Sequence, residues 1–352
     1  MKAFFRLILF FIPAAAPMHP AFCQADNLRR EIEEIITYEA GIDFSVVPGV
    51  MVGVVDGDSL YISSYGEQMD QEGIFELGSV TKPLISWLTD QALDSLGWTR
   101  GVSVCRFLPD SLCTAPWETV TIEELLNHRA GLPPFPDNIG SIEASVTDPY
   151  APYTIMRLAS DVKQMSPHAG KYSYSHVGYA ILYWLFERVG GIESFTEQKL
   201  VEPLQLKSTG FDIADARIAK GHGMDGRIRP PWHCSALSPA MGLKSRMLDL
   251  LTIIKYISPD LALKTPVLNA ELRKELKVLN KNETFKVMDS WFLIESSSAI
   301  VYYHTGRTGG HHTSIAFMPE ARKGVVVISN GSLGSRELSL LVLSMVARAK
   351  TK

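Results

Sequence analysis

Ser79 and Lys82 are the residues whose types and spacing could do chemistry. A serine hydroxyl is a weak nucleophile at neutral pH and needs an adjacent base or a strong positive potential. In Gly78-Ser79-Val80-Thr81-Lys82 an amine follows the hydroxyl by three residues. If a helix opens at Ser79, both side chains lie on one face, one turn apart. The helix N-terminus adds a positive dipole end beside the hydroxyl. Pro83 suits the first turn, where its missing N–H costs nothing. Gly78 lets another backbone or a substrate come close just before the serine. Taken alone, Ser-x-x-Lys more often marks an ordinary capped helix, so the rest of the chain has to decide.

The elements that must hold this pair are visible as periodicity. Asn27 to Ala40 carries Leu28, Ile32, Ile35 and Ile36 at helical spacing. Val50–Val55 and Leu60–Tyr65, joined at Gly57-Asp58, form a hairpin pattern. The Ser79 helix continues with Leu84, Leu88 and Leu96 along one face. From Leu108 to about Met288, prolines and loops separate helical pieces. Thr121-Ile122-Glu123-Glu124 is a capping box whose helix is expected to run to Gly131. Gly178–Val189 and Ser245–Ile257 are further apolar helices. Strand patterns return at Trp291–Glu295, Ala299–Tyr303, Thr313–Met318 and Gly324–Ser329, and Ser335–Ala349 closes as a helix. Strands at both ends with helices between imply one sheet built from the two termini, with a helical insertion.

Composition limits the function classes. With 352 residues, 46% hydrophobic and 20% charged, the chain can bury a large core, and a net charge of -4 gives no reason to expect nucleic acid or an anionic membrane. Residues 1–25 have the pattern of a secretory signal: Lys2 and Arg6, then an apolar run from Leu7 to Ala16, then small residues up to Ala25. Ten apolar residues containing Pro13 are too few to span a bilayer. The expectation is an exported protein, periplasmic or extracellular, with an uncleaved N-terminal anchor as the alternative. Cleavage leaves Cys105, Cys113 and Cys234, of which the first two are near enough in sequence to pair if geometry allows. No Cys/His spacing resembles a zinc site. His311 and His312 alternate faces on a strand, so no metal cluster with His304 is expected. No cofactor is expected.

Two further stretches complement Ser79: Tyr172-Ser173-Tyr174-Ser175-His176 before an apolar helix, and His304-Thr305-Gly306 at the end of a strand. In this order the three motifs resemble the serine β-lactamase and penicillin-binding protein superfamily, and most of all its branch of class C β-lactamases, D-alanyl-D-alanine carboxypeptidases and esterases. Thr121 to Pro133, Glu202 to Phe211, Ser238 to Leu250 and Pro319 to Asn330 are similar to further segments of that branch. The likeness thus runs from about Phe44 to the C-terminal helix.

The resemblance implies a β-lactamase/transpeptidase-like α+β fold. A signal (1–25) would precede an α/β sheet domain (26–107 and 289–352) and a mainly helical domain (108–288), with the active site at their interface. It implies Ser79 as the nucleophile that is acylated, Lys82 as the amine that holds or accepts its proton, and Tyr174 as a proton shuttle. The backbone N–H groups of Ser79 and Arg307 would form the oxyanion hole, and His176, His304, Thr305 and Gly306 would contact substrate. Two positions depart from the family pattern. His176 replaces the usual asparagine, and His304 stands where classical β-lactamases have lysine. Both weaken recognition of a carboxylate-bearing amide. The reading is therefore a serine hydrolase of small molecules or peptides that favours esters over β-lactams. The alternative is a penicillin-binding or sensor-type module that acylates without efficient turnover.

Overall fold

The computed structural model describes residues 20–40, 42–67, 69–136, 139, 148–263, 272–276, 281–295, 299–331 and 337–348. Twelve strands occur among them. β1 (Gly49–Asp56) and β2 (Ser59–Gly66) form the expected hairpin, turned at Gly57 with φ 59°. Short strands follow: β3 (Phe75–Glu76), β4 (Gly221–His222), β5 (Ile228–Arg229) and β6 (Lys244–Ser245). The C-terminal set is β7 (Leu272–Leu276), β8 (Lys281–Met288), β9 (Trp291–Glu295), β10 (Ile300–Arg307), β11 (His312–Met318) and β12 (Lys323–Ser329). One eight-stranded sheet runs in the order β2-β1-β12-β11-β10-β9-β8-β7. Every pairing in it is antiparallel. The sheet is thus assembled from both chain ends, as the pattern of elements predicts.

Its two faces are covered differently. Val50, Val52, Val54, Val325 and Val327 pack against Ile32 of the helix Pro20–Glu34, Ile36 of the π-helical turn Ile35–Glu39 that continues it, and Val342 and Leu343 of the helix Leu338–Arg348. Met51, Val55, Ile315, Phe317, Val326 and Ile328 turn the other way, into the larger core shared with the helices Thr81–Leu96, Leu182–Glu187 and Met247–Leu263. Burial on both sides explains why β1 reads as one apolar run rather than an alternation. Gly53 sits where a Cβ would come within 2.5 Å of the Met247 sulfur, so the helix Met247–Leu263 lies close on the sheet.

Several boundaries differ from the sequence reading. β7 and β8 lie inside the stretch expected to be helical; their Lys- and Glu-rich sequences carry no apolar alternation, as befits β7 at the sheet edge and β8 beside it. The helix after the Thr121 capping box ends at Leu126 rather than Gly131, and His128 follows with φ 57°. The Ser79 helix opens as a 3-10 turn, Gly78–Val80, before Thr81–Leu96. The signal expected over residues 1–25 falls largely on residues 1–19, outside the described residues. The helix Pro20–Glu34 crosses its expected end at Ala25. Cys105 and Cys113 form a disulfide and Cys234 is a buried free thiol. Among the described residues no helix is long and apolar enough to cross a membrane.

Candidate active site

The 3-10 turn Gly78–Val80 abuts the end of β10, and this junction positions the site. A Cβ on Gly306 would lie 1.9 Å from the Leu77 carbonyl oxygen and 2.8 Å from Ser79 N. One on Gly78, whose φ is 52°, would lie 2.7 Å from Arg307 N. Only glycine permits this approach, and it sets the Ser79 and Arg307 amides on either side of one contact.

Lys82 lies beneath the serine and is fully buried. Its Nζ is 3.1 Å from Ser79 Oγ, 2.9 Å from the Ala240 carbonyl oxygen and 5.0 Å from the centre of the Tyr174 ring. Loss of water around the ammonium pushes the amine well below its ordinary pKa. A neutral amine can donate one N–H to Ala240 O and turn its lone pair toward Oγ.

The second motif arrives from the segment before the helix His176–Ala180. Burial pushes the Tyr174 phenol above its ordinary range, and a hydrogen bond with Ser79 works in the opposite direction. His176 Nε2 lies 3.5 Å from Ser79 Oγ, while Nδ1 lies 3.1 Å from the Pro134 carbonyl oxygen. A carbonyl only accepts, so Nδ1 carries the proton and Nε2 the lone pair. Desolvation, and secondarily Lys82, hold this imidazole well below its usual pKa.

The third motif brings His304 to 6.4 Å from Tyr174 and 5.3 Å from Phe292, ring centre to ring centre. Thr305 is half-buried and pairs with Ser314 across the sheet; alternation turns its side chain away from the face of His304 and Gly306. Arg307 is exposed at the strand end. The structure therefore gathers Ser79, Lys82, Tyr174, His176, His304, Gly306 and Arg307, and sets Thr305 to one side.

A second layer carries residues outside the three motifs. Glu76 is buried; its Oε1 accepts the Trp232 N–H at 2.7 Å, and its Oε2 accepts from Thr308 Oγ1 at 2.9 Å and His311 Nδ1 at 3.0 Å. This ties the segment after β10 to β3, just ahead of the Gly78–Val80 turn. His128 accepts the Ser175 N–H at Nδ1, 3.1 Å, and donates from Nε2 to Ser290 Oγ, 2.6 Å. Burial keeps it well below its ordinary pKa, and Lys82 and His304 add to that. Phe135 stacks on His176 at 4.1 Å, Tyr150 stacks on Phe135 at 5.8 Å, and Trp232 meets Tyr150 edge-on at 4.9 Å. A charged residue inside the apolar run Ile74-Phe75-Glu76-Leu77 was a usable sign for Glu76. The scattered aromatics had none. Among the described residues no group of three His, Cys, Asp or Glu side chains could hold a metal ion.

Comparison with known proteins agrees with this geometry. A family profile described as Beta-lactamase matches residues 38–341. Unguisins hydrolase ungD' of Aspergillus campestris is 26% identical over 347 residues, covering 88% of this chain and 63% of that protein. Unguisins hydrolase ungD of Aspergillus violaceofuscus is 25% identical over 203 residues, covering 50% of this chain and 34% of that one. The chain thus spans less than two thirds of the length of these curated relatives. Among solved structures, a class C β-lactamase superposes with a TM-score of 0.74 at 16% identity, over 93% of this chain and 99% of the other. A class C β-lactamase in complex with cefoxitin gives 0.73 at 17%, over 93% and 100%. These likenesses show a β-lactamase/transpeptidase-like fold, and with the profile match over most of its length the chain belongs to the Beta-lactamase family.

Proposed function

We propose that this chain is an exported hydrolase that is acylated on Ser79 and turns over small apolar esters faster than β-lactams or D-alanyl peptides. The observation that carries the reading is the fully buried Lys82 amine 3.1 Å from Ser79 Oγ, beside the paired Ser79 and Arg307 amides. An amine there polarises the hydroxyl, and two backbone donors suit the oxyanion of acyl transfer. Tyr174, kept protonated by burial, serves as a hydrogen-bond donor at the reacting atoms.

The ester preference rests on charge and on the cleft wall. A carboxylate-bearing substrate gains most from a desolvated fixed cation, and His176 is neutral. Arg307 is a permanent cation, but it is exposed, where an ion pair is worth only about 0–1 kcal/mol. The aromatic wall of Phe135, Tyr150 and Trp232 favours an apolar acyl or alcohol group. The relatives' names as hydrolases support turnover over acylation alone. The Cys105–Cys113 disulfide supports export to an oxidising compartment.

The test is a panel of p-nitrophenyl esters, a chromogenic cephalosporin and a D-alanyl-D-alanine peptide, with Ser79→Ala as control. The esters should give the highest kcat/KM, and Ser79→Ala should lose both turnover and labelling by a fluorophosphonate. Efficient cephalosporin hydrolysis with the esters ignored would overturn the substrate assignment. Labelling that persists in Ser79→Ala would overturn the nucleophile.

A further inference from the structure

We infer that His176, and not Tyr174, carries the proton between Ser79 Oγ and the leaving group, so that Ser79, His176 and the Pro134 carbonyl act as a relay with Lys82 beneath it. The inference rests on the reading of Ser79 as the nucleophile. Its geometric basis is the imidazole itself. The Pro134 carbonyl oxygen accepts both the His176 backbone N–H, at 2.9 Å, and Nδ1–H, at 3.1 Å, which fixes the backbone and the tautomer together. That leaves the Nε2 lone pair as the atom facing Oγ at 3.5 Å. The ring is held on one side by the Phe135 stack, 4.1 Å away and tilted only 14°, and meets the Tyr174 ring edge-on at 5.5 Å. A carbonyl here orients the imidazole as the carboxylate of a Ser-His-Asp triad does, without bringing a full charge.

The competing groups are less suited to the task. A proton carrier must reach both the hydroxyl and the leaving group. Lys82 touches the hydroxyl but is 0% exposed, enclosed by Ala240 and the rings of Tyr174 and Tyr179, whereas His176 is only partly buried. Tyr174, half-buried like His176, is placed well enough, but desolvation raises its phenol above its ordinary range, so it keeps its proton at neutral pH and can give a proton but not take one. Burial is the main reason the charged form of His176 is disfavoured, and Lys82 from the helix Thr81–Leu96, His128, and His304 from β10 add to it; of the groups that face it only the Pro134 carbonyl favours that form. It is therefore neutral at pH 7, the form a base needs.

The steps balance as follows. Oγ attacks the acyl carbon as its proton passes to Nε2, and the C=O electron pair moves to the oxygen facing the Ser79 and Arg307 amides. On collapse the bond from carbon to the leaving oxygen or nitrogen breaks, and Nε2–H protonates the departing atom. Water then takes its place, giving a proton to Nε2 as its oxygen bonds to carbon. As the acyl–Oγ bond breaks, that proton returns to Oγ.

The test compares His176→Gln and His176→Gly with the unmodified protein on paired p-nitrophenyl and alkyl esters. Both variants should lose about 10²–10⁴ in kcat/KM. The loss should be larger on the alkyl ester, whose leaving group must be protonated. Added imidazole should restore part of the activity of His176→Gly, and the acidic limb of the wild-type pH profile should vanish in His176→Gln. A positioning role alone would move neither the leaving-group dependence nor the imidazole response. Activity of His176→Gln within threefold of wild type, with the acidic limb kept and Ser79 still labelled by fluorophosphonate, would assign the proton to Lys82 and overturn the inference. Turnover by Ser79→Ala would instead overturn the underlying reading. Should the variants not fold, 15N-histidine spectra of the wild-type protein decide. An imidazole protonated at Nδ1 must titrate with kcat/KM, and its absence refutes the relay.

Discussion

Gly306→Ala should damage catalysis far more than folding, because the methyl group enters the contact that sets the proposed oxyanion donors, the Ser79 and Arg307 amides. The added Cβ would meet the Leu77 carbonyl oxygen at 1.9 Å, Ser79 N at 2.8 Å and Val80 N at 2.9 Å, all backbone atoms with no rotamer to yield. Reaching even a 3.0 Å approach requires β10 and the nucleophile turn to part by about 1 Å, and a misplacement of that size costs on the order of 10²-fold in rate. Loss of one oxyanion donor gives a similar figure, about 10²–10³ in kcat, or roughly 2.7–4 kcal/mol. Overpacking costs roughly 1–3 kcal/mol in stability, which a protein of this size can absorb with a Tm lower by a few degrees. The assay is kcat and KM on a p-nitrophenyl ester at a temperature well below both Tm values, with Gly210→Ala as control. Gly210 has open space around its Cβ and should tolerate alanine. The expected result is a kcat lower by about a hundredfold or more with KM little changed, and a control near wild type. A Gly306→Ala enzyme within threefold of wild type in kcat would refute the placement of the donors at this junction.

Tyr174→Phe, which removes a hydrogen-bond donor at the reacting atoms, should lower kcat by about a hundredfold, whereas Tyr172→Phe should do little; the reverse order in steady-state kinetics would move the second motif by two residues. Arg100→Ala should lower stability by about 1.5–3 kcal/mol in denaturant titration, because it removes the guanidinium that bonds Asp289, whose side chain is 3% exposed, at 2.5 and 3.0 Å. Stability should fall as pH drops below about 6.5, since unfolded histidines gain protons there while His128 and His176, held well below their ordinary pKa, stay neutral in the folded chain. The slope is up to about 1.4 kcal/mol per pH unit for each histidine. Unfolding midpoints at pH 7.5 and 5.5 should therefore differ less in His128→Asn than in wild type, and an unchanged difference would count against a neutral buried His128.

What could be read from the sequence was whatever local pattern dictates. The β1–β2 hairpin, the four strands near the C-terminus and the Thr121 capping box each declare themselves within a few residues, and all are present. The three motifs were legible as an ordered set, because their residue types suit one chemistry. What was hidden depends on contacts between distant segments. The turn Asp289-Ser290, with φ of 53° and 66°, looks like a simple hairpin tip. Yet Asp289 N–H donates to Asn127 Oδ1 at 3.0 Å, Ser290 Oγ lies 2.6 Å from His128, and Arg100 clamps Asp289. Through His128 and Ser175 N–H that turn is linked to the Tyr174–His176 segment. Glu76 performs the matching task on the other side, fixing Thr308 and His311 beyond the Arg307 amide. The serine is therefore set between two buried polar clusters, each spanning more than 150 residues of sequence. A side chain lost from either cluster leaves a buried partner unsatisfied, at about 1–3 kcal/mol. It also shifts one wall of the site against the other, so a defect should appear in kcat before it appears as unfolding.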